Sequence, residues 1–194
     1  MQIPYPWTLD TKHSPPYNMD VLHIEKLFQI CARVQPSSVI EIGSYKGAST
    51  SAFIEALNAG HIEHLTIFEL HSTPELQQTI AQATKPEQVT CNWQPYYKTP
   101  VYADLALIDG DHGWPALADL AAALAMGIPH IVLHDSNTVE LGLKDCWGSQ
   151  LACQIMKASN AYKVYEDKEK RPGMHTDRGL LYACLGREGT GAWE

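Results

Sequence analysis

Short runs of consecutive apolar residues alternate along the chain with longer segments in which apolar residues recur every three or four positions. Runs of the first kind are typical of strands buried on both faces, and the second spacing is typical of helices with one buried face. The pattern predicts strands at residues 38–42, 64–70, 89–93, 104–109, 128–134, 162–166 and 179–185. It predicts one helix that ends near Val34 and further helices at about residues 49–59, 74–83, 114–126 and 142–159.

Capping residues support these boundaries. Asn18 or Asp20 can cap the first helix, Ser72 or Thr73 the third, and Gly60 follows the second helix where a C-terminal glycine is common. Because strands and helices alternate, we expect an α/β fold with a covered, largely parallel sheet.

We expect a single domain over residues 1–194, with an irregular, proline- and aromatic-rich arm at 1–18 and a loose tail at 186–194. The composition is that of a globular protein, with 45% hydrophobic and 19% charged residues. A net charge of -8 argues against nucleic acid or an anionic membrane as the partner. The chain contains no long apolar run, and we expect a cytoplasmic protein. Its five scattered cysteines do not suggest a disulfide framework.

The first strand runs into a glycine turn and then a helix. Gly43 and Gly47 allow a ligand to approach the backbone, and the hydroxyls of Ser49 and Thr50 follow at the start of the helix. Such a turn at the carboxyl end of a strand binds nucleotide-like cofactors, although it also occurs as a plain turn in other α/β proteins. The spacing matches neither the dinucleotide motif nor the P-loop. Glu41 would repel a phosphate but would suit a cationic sulfonium with an amino group.

The segment 41–47 resembles the first motif of class I S-adenosylmethionine (SAM)-dependent methyltransferases, ExGxxxG. In this interpretation Glu41 contacts the methionine amino group of SAM, directly or through water. Glu69 ends the second strand about 20 residues beyond the turn, where a carboxylate can bind both ribose hydroxyls. Trp93 ends the third strand and either stacks on the adenine or belongs to the core.

The fourth and fifth strands end in a second group of polar residues. Asp109 and Asp111 lie beside His112, whose ordinary pKa suits a general base. Two crowded carboxylates repel each other unless a cation or a proton lies between them. Oxygen atoms from these residues and from 135–137 would suit a hard cation such as Mg²⁺.

The segment 104–114, followed by Asp119 and by the Val-Leu-His-Asp of 132–135, resembles the IDGDH…HD signature of class I methyltransferases. Cephalosporin-hydroxylase-like and macrocin O-methyltransferase-like proteins are related to this group. The resemblance extends over about residues 20–185. It implies a Rossmann-like three-layer sandwich with a seven-stranded, mostly parallel sheet in the order 3-2-1-4-5-7-6, whose last strand is antiparallel.

The resemblance also implies site roles. It places Asp109 and Asp135 at metal-ligand positions, Ser136 at the third ligand position, where Asn137 could substitute, and His112 at the position of the catalytic base. His112 and Asp109 are thus the expected catalytic residues, and one Mg²⁺ would assist. The expected SAM-binding residues are Glu41, Gly43, Ser44, Gly47, Ser49, Thr50, Glu69, Trp93, Asp109, Asp111 and His112.

Asp119 and His134 are expected to be structural, with Asp119 bonding the backbone and His134 hydrogen-bonded at its strand end. The implied activity is O-methylation of a small molecule. The alternatives are a non-catalytic cofactor-binding protein on the same fold and, less favoured, a metal-dependent hydrolase. The aromatic arm is compatible with a homodimer.

Overall fold

The computed structural model describes residue 19 and residues 21–137, 144–167 and 178–186. Helices α1 to α5 span Val21–Val34, Ala48–Asn58, Pro74–Ile80, Trp114–Ala125 and Trp147–Ala158. Strands β1 to β7 span Ser38–Ile42, His64–Phe68, Val89–Asn92, Leu105–Ile108, His130–His134, Tyr162–Asp167 and Leu180–Leu185. The predicted arm, the caps Asn18 and Asp20 and the tail beyond residue 186 lie outside the described residues.

The strands form one seven-stranded sheet in the order β3-β2-β1-β4-β5-β7-β6. Strands β1 to β5 pair in parallel, and β7 runs antiparallel to both β5 and β6. The predicted strand order and the antiparallel last strand are therefore confirmed. The carboxyl ends of β1, β2, β4 and β5 meet at one edge of the sheet, which is where α/β proteins bind ligands.

Helices cover both faces of the sheet. Successive strand residues point to opposite sides, so Val39 packs into the core beneath α1 and α2, whereas Ile40 packs into the core beneath α4 and α5. Both residues are 1% exposed. The predicted three-layer sandwich is confirmed.

Boundary differences have local causes. Strand β4 begins one residue later than predicted, and the carboxylate of Asp104, just before it, accepts hydrogen bonds from the backbone N–H and hydroxyl of Ser38. Helix α3 is capped by Thr73, whose hydroxyl accepts the Leu76 N–H at 3.2 Å. Among the described residues, the predicted helix at 142–159 consists of a 3₁₀ turn, Lys144–Cys146, followed by α5.

None of the helices in the described part of the chain is long and apolar enough to cross a membrane.

Candidate active site

A cavity of about 510 Å³ opens at the carboxyl edge of the sheet, within the size range of small-molecule sites. It is lined by residues that follow β1, β2, β3 and β4, together with Met19, His134 and Arg178. Seven of the predicted site residues line it: Gly43, Ser44, Ser49, Glu69, Asp109, Asp111 and His112.

The glycine turn after β1 forms one wall of this cavity. Gly43 has φ +83°, and a Cβ there would lie 2.4 Å from the Gly110 Cα and 2.5 Å from the Asp109 carbonyl oxygen. Only glycine therefore lets the turns after β1 and β4 approach so closely. Gly47 also has a positive φ and precedes α2, but a Cβ there would point toward Thr79, and Gly47 does not line the cavity.

Glu69, which follows β2, is bound to the same turn. Its Oε2 accepts the backbone N–H groups of Ser44 at 3.0 Å and Tyr45 at 2.7 Å. Its Oε1 accepts the N–H of Leu70 at 2.6 Å. The carboxylate therefore holds the glycine turn in place as well as lining the cavity. The hydroxyl of Ser44 also lines the cavity, is buried, and has no partner among the described residues, so it is available to a ligand.

Glu41 and Thr50 lie outside the cavity, unlike the sequence prediction. Glu41 is fully buried and faces α2, where its carboxylate accepts hydrogen bonds from the hydroxyls of Ser49 and, at 2.8 Å, Thr50. The reason is strand alternation: Ile40 and Ile42 face α4 and α5, so Glu41 must face the other side. Burial raises the pKa of Glu41 to about 8, although the two hydroxyl hydrogen bonds oppose the increase.

We expect Glu41→Gln to change how stability depends on pH. In the unfolded chain Glu41 ionises near the ordinary glutamate pKa of 4.5, whereas in the folded chain it keeps its proton up to a pKa of about 8. Over this window the unfolded state loses a proton that the folded state retains, so the wild-type free energy of unfolding falls as pH rises. Glutamine cannot ionise, and the variant should lack this loss.

Thermal unfolding at several pH values measures the effect. Between pH 4.5 and about 8, the free energy of unfolding of the Gln variant should rise relative to that of wild type by at least about 1 kcal/mol. For a chain of this size, that difference corresponds to ~2–4 °C in Tm. Glu63→Gln removes an exposed carboxyl and serves as the control. Parallel curves for wild type and Glu41→Gln would contradict the raised pKa.

Trp93 is 45% exposed and does not line the cavity, so it is neither a core residue nor in place to stack on a ligand there. Strand β3 ends at Asn92, and the chain then turns so that residues 94–97 line the cavity instead. Two of these, Tyr96 and Tyr97, are aromatic. The sequence contained a signal for this wall, adjacent tyrosines after a strand end, but the prediction selected Trp93.

A cluster of acidic and imidazole groups lies where β4 and β5 end. His112 Nε2 is 2.6 Å from Asp135 Oδ2 and 3.9 Å from Asp109 Oδ1. His134 Nδ1 is 2.9 Å from Asp109 Oδ1, and its Nε2 is 3.2 Å from Nδ1 of His23 on α1. The expected hydrogen-bonded role of His134 is confirmed, and Asp119 accepts the Tyr97 N–H at 3.1 Å, as expected for a residue that bonds the backbone.

Mutual attraction sets the charges in this cluster. Burial alone would lower the pKa of His112, but the hydrogen bonds and negative charges of Asp109 and Asp135 outweigh it and raise the pKa to about 10. Burial would raise the pKa of Asp109, but His134 and His112 outweigh it and hold that pKa below its ordinary value. The two carboxylates thus favour the protonated form of His112.

The sequence analysis missed Arg178, which lies in a polar segment without a readable pattern. Its Nε is 2.6 Å from Asp135 Oδ1, and its Nη2 is 2.8 Å from Asp135 Oδ2. Nη2 donates a hydrogen bond to Oδ2, whereas the Nε–Oδ1 contact is an ion pair without hydrogen-bond geometry. Arg178 thus contacts both carboxylate oxygens of Asp135, which the sequence analysis assigned to a metal site.

The predicted Mg²⁺ site at Asp109, Asp135 and Ser136 does not fit this arrangement. Among the His, Cys, Asp and Glu side chains of the described residues, two groups have ligand atoms within 4.8 Å of one another: His112–Asp135–Cys146 and Asp109–His134–Asp135. Both mix nitrogen or sulfur with oxygen, whereas Mg²⁺ prefers oxygen ligands. Both oxygens of Asp135 also lie 2.6–2.8 Å from the guanidinium of Arg178.

The strand order, the glycine turn and the polar strand ends together define the class I methyltransferase fold. A family model described as a methyltransferase domain matches residues 40–136, half of the chain. The chain belongs to this methyltransferase family, and the predicted family is confirmed. No curated protein matches the chain.

Several solved structures share the fold. An O-methyltransferase involved in tomaymycin synthesis from Streptomyces achromogenes, in complex with SAM, is 14% identical with a TM-score of 0.69 over 88% of this chain and 82% of its own. An O-methyltransferase from Bacillus cereus, in complex with S-adenosylhomocysteine (SAH), is 16% identical with a TM-score of 0.68 over 89% and 84%. A SAH-bound methyltransferase from Podospora anserina is 12% identical with a TM-score of 0.67 over 91% and 84%.

Proposed function

We propose that this protein binds SAM and transfers its methyl group to a hydroxyl of a small molecule. One observation carries the proposal: the glycine turn, Glu69 and the cluster around His112 line a single cavity. A cofactor held at the turn would therefore have its reactive end close to an acid–base group. The SAM and SAH complexes of the structurally similar O-methyltransferases support the same assignment.

The turn and β2 supply the groups that would hold the cofactor. Glu69 is the only carboxylate following β2 that lines the cavity within the described residues, and it suits the ribose hydroxyls. The unpaired hydroxyl of Ser44 and the backbone at Gly43 would contact the part of the cofactor that lies across the glycine turn. SAM, when bound, supplies an electrophilic methyl group on a sulfonium.

The cluster at the ends of β4 and β5 would handle the proton. As the acceptor oxygen bonds to the methyl carbon, the carbon–sulfur bond breaks and its electron pair stays on sulfur, which yields SAH. Asp109 and Asp135 favour the imidazolium form of His112, and the positive charge of a bound sulfonium would oppose that form. Once His112 has released its proton to solvent, it can accept the hydroxyl proton as a general base, and Asp109 and Asp135 stabilise the imidazolium that forms. Holding the acceptor in line with the methyl group is the protein's other contribution.

Calorimetric titration with SAM and SAH tests the binding half of the proposal. We expect saturable binding of both. Incubation with SAM and a panel of phenols, catechols and sugar alcohols, with SAH formation as the readout, tests the transfer half. Absence of binding would overturn the proposal, and binding without SAH formation from any acceptor would favour a non-catalytic cofactor-binding protein.

We expect His112→Gln to lower methyl transfer by about 10²–10⁴-fold, the usual contribution of a general base. The SAM dissociation constant should change far less, because Glu69 and the glycine turn remain. Initial rates of SAH formation and a SAM titration measure the two quantities. His64→Gln, an exposed histidine at the amino end of β2, is the matched control. Equal rates for the two variants would contradict the role of His112.

A further inference from the structure

The positive charge of Arg178 lies beside Asp135, where a divalent cation bound to that carboxylate would have to lie. Its Nε and Nη2 contact the two oxygens of Asp135 at 2.6 and 2.8 Å, and Nη2 lies 3.5 Å from Cys146 Sγ. The Asp135 side chain is 0% exposed, and that of Arg178 is 15% exposed. A cation approaching Asp135 or Cys146 would therefore meet a guanidinium that is already in place.

The backbone fixes Arg178 in this position. The N–H of Asn137 donates to the Arg178 carbonyl oxygen at 2.8 Å, and the N–H of Ser136 donates to the Gly179 carbonyl oxygen at 3.4 Å. These bonds continue the β5–β7 pairing beyond the strand ends. Gly179 has φ +79°, and a Cβ there would lie 2.4 Å from Ser136 Oγ. The third predicted ligand thus packs against the segment that carries the arginine.

Arg178 gives Asp135 a counter-ion of fixed charge without a metal. Two carboxylates, Asp109 and Asp135, face the guanidinium of Arg178 and the imidazole rings of His112 and His134. Adding two positive charges beside Arg178 would be repulsive at these distances. A guanidinium is a permanent charge with a planar fork that matches a carboxylate, so it can serve as a built-in counter-ion.

We propose that Arg178 replaces the divalent cation at Asp135, so that this protein binds SAM and transfers methyl groups without Mg²⁺. The statement about methyl transfer rests on the function proposed above. The statement about metal binding does not, because it concerns only the Arg178–Asp135 pair.

The test is calorimetric titration of the whole protein with Mg²⁺ and Mn²⁺ at millimolar concentrations, together with Arg178→Gln, Arg178→Lys and the double variant Arg178→Gln with Asp135→Asn. Wild type should show no saturable heat. Arg178→Gln, which exposes a carboxylate pair without its arginine, should bind at least about tenfold more tightly, since one unit of positive charge beside the site is removed. The lysine variant keeps the charge, and the double variant removes both charges, so neither should gain binding.

Saturable Mg²⁺ or Mn²⁺ binding by wild type would overturn the inference, and so would a folded Arg178→Gln variant that gains none. If thermal unfolding shows that Arg178→Gln does not fold, the wild-type titration decides alone. A SAM titration with and without a chelator separates the two proposals. SAM binding that needs Mg²⁺ contradicts this inference and leaves the proposed function standing. Loss of SAM binding under all conditions contradicts the proposed function and the statement about methyl transfer, and the metal titrations then decide the statement about the Arg178–Asp135 pair.

Discussion

Replacing Glu69 with alanine should weaken SAM binding at least about 100-fold, because two charge-assisted hydrogen bonds to a ribose contribute together at least about 3 kcal/mol. The structure adds a second reason. The same carboxylate accepts the N–H groups of Ser44 and Tyr45, so its removal frees the turn that carries Gly43. Calorimetry with SAM and SAH measures the dissociation constants of wild type and variant.

The matched control is Glu63→Ala, which removes an exposed carboxylate just before the amino end of the same strand. It should bind SAM like wild type. Glu69→Gln separates the two functions of the carboxylate, since its amide oxygen can still accept a turn N–H but carries no charge. We expect intermediate affinity for it. If Glu69→Ala bound SAM as tightly as Glu63→Ala, the ribose assignment would be wrong.

Gly43→Ala should destabilise the fold by about 2–5 kcal/mol, which combines the cost of a left-handed residue with that of overpacking. The φ of +83° disfavours any side chain, and the new Cβ would overlap the backbone of Asp109 and Gly110 at 2.4–2.5 Å. Backbone cannot rotate away as a side chain can. The predicted fall in Tm is ~4–20 °C, measured by thermal unfolding.

Gly60→Ala isolates the contribution of the backbone conformation. Gly60 has φ +77°, but a Cβ there would meet nothing within 4 Å. The free energy of unfolding of this control should fall by only about 1–2 kcal/mol. A Gly43→Ala protein no less stable than Gly60→Ala would show that the turns after β1 and β4 are not packed as tightly as described. If the Gly43→Ala protein folds with reduced stability, it should also lose SAM binding, because the new Cβ overlaps the backbone at the cavity wall.

The strands in the parallel part of the sheet could be predicted from the sequence because they are buried on both faces. Strands covered on both faces must be apolar throughout, so β1 was predicted with its observed bounds, Ser38–Ile42. The glycine turn and the acidic strand ends could be located because they interrupt such runs. Weaker boundaries, such as the start of β5, depend on side-chain hydrogen bonds and pairing that no local pattern contains.

Within the site, sequence position indicated which side chains lie near the cavity edge, but not which way they point. Glu41 belongs to the motif yet faces α2, and Trp93 follows β3 yet remains outside the cavity. Their orientation follows from the register of the sheet and from the course of the chain after each strand.

The chain by itself determined the α/β class, the strand–turn–helix that resembles a SAM site, and the acidic and imidazole residues at β4 and β5, because each is a local pattern of apolar, glycine and charged positions. Only the tertiary structure decided the counter-ion of Asp135. Arg178 is far from Asp135 in sequence and reaches it because β7 pairs antiparallel with β5. Contacts between distant segments depend on strand pairing, which the local patterns of a single sequence do not predict.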